Sequence, residues 1–120
     1  MKDNVLTLTL KKRWFDMISS GVKTEEYREI KPFWMKRFCG KAPVIYRMAL
    51  HLAIETDNFD VVSQTDITVF NKIQFTLGYP KADDMSRRII FNNPHIRIGK
   101  GKPEWGAEPD KTYFVITWDK

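Results

Sequence analysis

From Asn4 to Leu10 the chain alternates apolar and polar residues, and then the period changes abruptly. Leu6, Leu8 and Leu10 fall on one side and Thr7 and Thr9 on the other, the pattern of a strand buried on one face. From Lys11 onward the spacing is helical, with Trp14, Met17 and Ile18 on one side and Lys12, Asp16 and Ser19 on the other. Gly21 stops that helix, because glycine enters the left-handed conformation without strain. A strand that passes straight into an amphipathic helix commits the chain to packing helix and sheet on one core.

The remaining segments are short. Lys23 to Ile30 reads as a second strand, and Pro32 to Phe38 as a short helix started by proline and ended by Gly40. Tyr46 to Ile54 is largely apolar and fits helix or strand, and Asp57 to Asp60 reads as a turn. Thr68 to Leu77 is a strand broken by Gly78, Tyr79 and Pro80. Arg87 to Phe91 and His95 to Ile98 are strand segments, paired or bulged around Asn92, Asn93 and Pro94. A glycine-punctuated loop, Gly99 to Gly106, precedes a closing strand from Thr112 to Trp118. With 120 residues and no internal repeat, one α+β domain is expected, its short strands forming a curved or barrelled sheet beside short helices.

Composition narrows the function classes. A chain 42% hydrophobic and 13% aromatic can bury a core, yet no apolar run nears the roughly 20 residues of a membrane-spanning helix. Met1 to Leu10 lacks the unbroken apolar stretch of a secretory signal, and Cys39 is alone, which suits a reducing, cytoplasmic setting. His51 and His95 have no ligand spacing and one cysteine builds no zinc site, so neither metal nor cofactor is expected. Twenty basic residues against fifteen acidic ones leave a net charge of +5, a mild pointer to a polyanionic partner.

The segment Gly21, Lys23, Glu26, Arg28 concentrates opposite charges. In a strand Glu26 and Arg28 share a face, roughly 7 Å apart, and Lys23 sits at the helix-to-strand junction. Such a cluster can grip a base edge or a phosphate. The plainer alternative is an exposed Glu26–Arg28 ion pair of little energetic weight. Lys100 and Lys102 add charge to the Gly99 to Gly106 loop, whose amides could cradle an anion, while Trp105 is either a stacking platform or a plug for the barrel. Tyr79, with Lys81, could line a cleft where the sheet breaks. Trp34 with Lys36 and Arg37 could meet a single strand, though Trp34 and Phe38 also form a buried face. Trp14 reads as core, and Lys11, Lys12 and Arg13 as a solvated charge run.

The unit from Leu6 to Arg28, together with the late loop and the Tyr113 to Ile116 strand, resembles an ASCH domain of the PUA-like superfamily. The family's motif (glycine, any residue, lysine, two variable residues, glutamate, any residue, arginine) is matched by Gly21, Lys23, Glu26 and Arg28. The likeness is weak from about 41 to 66, a divergent or inserted stretch. It implies a small β-barrel with a cleft beside the motif, and an RNA- or nucleotide-like ligand. Lys23 and Arg28 would contact phosphate or base oxygens, Glu26 would accept hydrogen bonds from a base, and Tyr79 or Trp105 would stack. Some members resemble enzymes, and one branch deacetylates N4-acetylcytidine with a threonine three residues after the motif lysine. Glu26 holds that position here and Thr24 lies off it, so that chemistry does not carry over. An enzyme on modified nucleosides or RNA, with Glu26 as acid or base steered by Lys23, is the alternative function. An interaction domain for an acidic protein is the third.

Overall fold

In a computed structural model, residues 3–40, 44–58 and 67–119 are described, with 44–47 as backbone only. The elements are β1 (Val5–Leu10), α1 (Lys12–Ser19), β2 (Glu26–Glu29), α2 (Pro32–Cys39), α3 (Val44–Thr56), β3 (Lys72–Leu77), β4 (Arg88–Lys100) and β5 (Thr112–Asp119). Among the described residues this is a mixed α+β protein with three α-helices and a five-stranded sheet ordered β1-β3-β4-β5-β2. The ladder has two ends and does not join them, so the sheet as hydrogen-bonded is open. No described helix is long and apolar enough to cross a membrane.

The chain divides into two compact units. The first comprises Met1–Glu26, Val69–His95 and Ile116–Lys120. Here β1 runs parallel to β3, with Val5 opposite Lys72 and Leu10 opposite Leu77, and β3 runs antiparallel to β4. The alternation of β1 is realised residue by residue: Leu6, Leu8 and Leu10 are buried, and Val5, Thr7 and Thr9 are exposed. Register is pinned where the pairing begins, because Asn4 and Asn71 exchange hydrogen bonds, Asn4 N–H to Asn71 Oδ1 at 2.6 Å and Asn71 N–H to Asn4 O at 3.0 Å. That exchange, and the Thr68 N–H bond to Phe38 O, explain why β3 starts at Lys72 rather than at Thr68. Asn92, Asn93 and Pro94 make no hairpin. Asn93 takes the left-handed conformation (φ 51°) inside one continuous strand, its N–H bonded to Asn71 O and its amide to Asp119 Oδ2. The turn signal is absorbed as a local kink, which asparagine tolerates.

The second unit comprises Tyr27–Thr68 and Ile96–Val115. Its core sets Phe38 edge-on to Phe114 at 5.1 Å, both fully buried, beside Met35, Cys39, Leu50 and Ala53. The ambiguous apolar run is helical, as α3, and buries Leu50 and Ala53 while leaving Met48 and Leu52 exposed. Asp57 is left-handed (φ 52°) just past α3, as a turn there requires, while Phe59 and Asp60 lie outside the described residues. So do 41–43 and 59–66 of the stretch expected to be divergent or inserted.

Candidate functional site

A local chain reversal places the motif lysine. Gly21 adopts φ 83° after α1, and the Lys23 N–H then donates back to Met17 O at 3.0 Å. The lysine is thereby drawn inward to 1% exposure, with its ammonium 3.0 Å from Glu26 Oε1 and 4.5 Å from the centre of the Trp14 ring. Glu26, at the start of β2, is 4% exposed. The surface ion pair considered from the spacing is thus corrected: the glutamate lies inside the protein, and Lys23 reaches it there. Burying both charges carries a desolvation cost that their attraction only partly offsets, so the pair is not a stability device by default.

Arg28 belongs to the second unit and is half-buried. Its guanidinium donates to Tyr27 O at 2.8 Å and lies 5.2 Å from the Trp34 ring centre. Trp34 stands in a row of rings, edge-on to Phe33 (4.8 Å) and stacked with Phe38 (5.4 Å, 20°). Beside it Phe33 is 70% exposed. The cation over Trp34 is therefore Arg28, from outside its own helix.

Tyr27, which sequence reasoning did not single out, fastens the late loop to the motif strand. Its hydroxyl accepts the Lys102 N–H at 2.9 Å, and its ring closes on Gly101 so tightly that a Cβ there would sit 2.7 Å from it and 2.6 Å from Ala107. A tyrosine next to the motif arginine and a glycine pair late in the chain were the only available signals. Gly101→Ala is expected to lower stability by about 1–3 kcal/mol through overpacking, read as a shifted urea midpoint. An unchanged midpoint would show that the loop is not seated on Tyr27.

Several amides in and just after the loop are engaged within the protein rather than open to an anion. Those of Trp105 and Ala107 donate to Lys102 O, that of Gly106 to Pro103 O, and that of Lys102 to Tyr27. Lys100 braces the loop from outside, donating to Asp110 O (2.6 Å) and Thr112 Oγ1 (3.1 Å). Lys102 lies over Trp105 at 4.4 Å, and Trp105 packs half-buried on Tyr27, Tyr113, Ala107 and Val115, so it is both a seat for a cation and part of the local core. Glu29 lies between Lys31 (2.9 Å) and Lys111 (3.4 Å), and the Lys31 hydrogen bond chiefly holds its carboxyl below the usual glutamate range. Tyr79, in the first unit, is 95% exposed on a loop whose carbonyls at Pro80 and Lys81 are held by Arg88.

A separate hollow of about 420 Å³ in the second unit is lined by Pro32, Met35, Lys36, Gly40 and His51. No group of three or more potential metal ligands occurs among the described residues. No family model, curated protein or solved structure matches the chain.

Proposed function

We propose that the chain is an ASCH-like domain of the PUA-like superfamily that binds RNA or a nucleotide through a basic surface, its sheet forming the wall of a small barrel. The observation that carries this reading is the repeated seating of a cation on an aromatic ring in the second unit, Arg28 on Trp34 and Lys102 on Trp105. Single-stranded nucleic acid is held by that combination, positive charge for the backbone and ring faces for the bases. On this reading Arg28 and Lys102 meet phosphates, Trp105 offers ring surface, and Lys100 supports the loop. Lys23 and Glu26 are too deeply buried to touch phosphate and instead hold the motif's turn.

The test is fluorescence polarisation with a short single-stranded RNA across salt. With a log–log slope of about 0.7 per phosphate, three contacts give roughly an 18-fold loss of affinity between 50 and 200 mM. Arg28→Ala and Lys102→Ala should each reduce the slope by about 0.7. Binding that ignores salt, or no binding to any RNA, overturns the proposal.

The enzymatic alternative would use the Lys23–Glu26 pair, 3.0 Å apart beside the Trp14 ring, and requires that the pair open to admit substrate. Product from an N4-acylated cytidine with the wild type, and none with Glu26→Gln, would move the conclusion to that reading.

A further inference from the structure

We infer that the Trp14 ring is a stacking seat for one unpaired base of a single-stranded RNA, occupied in the free protein by the guanidinium of Arg13. The inference rests on the RNA-binding reading above and assigns it a base-recognition point in the first unit. Trp14 meets two cations at nearly equal range, Lys23 Nζ at 4.5 Å and Arg13 Cζ at 4.6 Å from its ring centre. They differ in kind. Lys23 is buried and bonded to Glu26, so it is a fixed part of the interior. Arg13 is exposed, and its guanidinium has no other partner among the described residues.

Consecutive helical residues point away from each other, so Arg13 reaches its neighbour's ring only by folding back over it. An exposed cation on a ring is a weak, easily exchanged contact, whereas a stacked base is held more firmly. A base can therefore displace the guanidinium, which moves to the phosphate beside that base. The buried ammonium, lying against the ring and tied to Glu26, keeps the indole from turning during the exchange. Lys11 is exposed on the same turn and adds positive potential, while Lys12 is engaged with Asp16.

Two measurements on the full chain test this. The first irradiates the wild type with a 4-thiouridine-bearing single-stranded oligomer and maps the adduct by mass spectrometry. Attachment at Trp14 is expected, and attachment confined to Trp34, Trp105 or Trp118 overturns the inference. The second follows quenching of 2-aminopurine within an oligomer, alongside an abasic oligomer of equal length. Trp14→Leu, if folded by circular dichroism, should weaken binding of the base-bearing oligomer about 5- to 100-fold and leave the abasic one unchanged. Arg13→Ala, an exposed change, should keep the quenching and lower the salt slope. Undiminished quenching in folded Trp14→Leu, or quenching lost in Arg13→Ala, overturns it. Salt-sensitive RNA binding that bypasses Trp14 sinks this inference alone, while wild-type protein that binds no oligomer sinks it together with the RNA-binding reading.

Discussion

Replacing Lys23 with methionine lowers the free energy of unfolding by about 3–5 kcal/mol, because it strips Glu26 of its ammonium partner while leaving the carboxylate inside. Glu26 is 4% exposed and the two groups are 3.0 Å apart, so water cannot substitute for the missing ammonium without opening the turn. For a domain whose whole stability is on the order of 5–15 kcal/mol, that is a large fraction. The double variant Lys23→Met with Glu26→Leu is expected to recover most of the loss, since an apolar pair of similar volume avoids desolvation altogether. Urea unfolding of the wild type, the single and the double variant reads both effects. A single variant with an undisturbed midpoint would mean that the pair is not coupled as described. If the double variant folds and still binds RNA, the two charges serve the turn and not the ligand.

Truncating Phe114 to alanine costs about 3–5 kcal/mol, since a fully buried aromatic leaves a cavity that neighbours fill only in part. The effect extends past stability. Phe38 stands edge-on to Phe114, Trp34 stacks on Phe38, and Arg28 lies on Trp34, so the cation's seat is at the end of a row of rings footed in the core. Thermal unfolding is expected to report the loss of stability. At a temperature where the variant is still folded, RNA affinity should fall as well. Weakened stability with intact affinity would separate the surface from the core beneath it.

Much of the first unit was legible because its elements have clean periods. The leucines of β1 alternate and are buried in alternation, and Gly21 stops α1 with the positive φ that its identity implied. The spacing of Gly21, Lys23, Glu26 and Arg28 was legible, but the burial of Lys23 and Glu26 was not. Spacing puts Lys23 near Glu26, yet only the Met17 carbonyl, captured after the glycine turn, draws the lysine inward. Trp14 was read as core from its spacing, whereas the fold leaves it half-buried between an interior and an exterior cation. α3 is ambiguous in sequence because a mostly apolar run, interrupted only by Arg47 and His51, has little period to read. The asparagines before Pro94 carry a strong local turn signal, which long-range pairing with Asn71 and Asp119 overrode. The Gly99 to Gly106 loop resembles an anion cradle in sequence because glycines free the amides to turn outward, but Tyr27 and the loop's own carbonyls take those of Lys102, Trp105 and Gly106.

The parallel pairing of β1 with β3 has a consequence during synthesis. Val5 cannot meet Lys72 until nearly seventy further residues have been added, several seconds at ordinary translation speeds. Throughout that interval the three leucines of the nascent amino-terminal strand have no sheet to lie on. Stalling upstream of Leu77 is therefore expected to leave the strand unpaired and prone to aggregation.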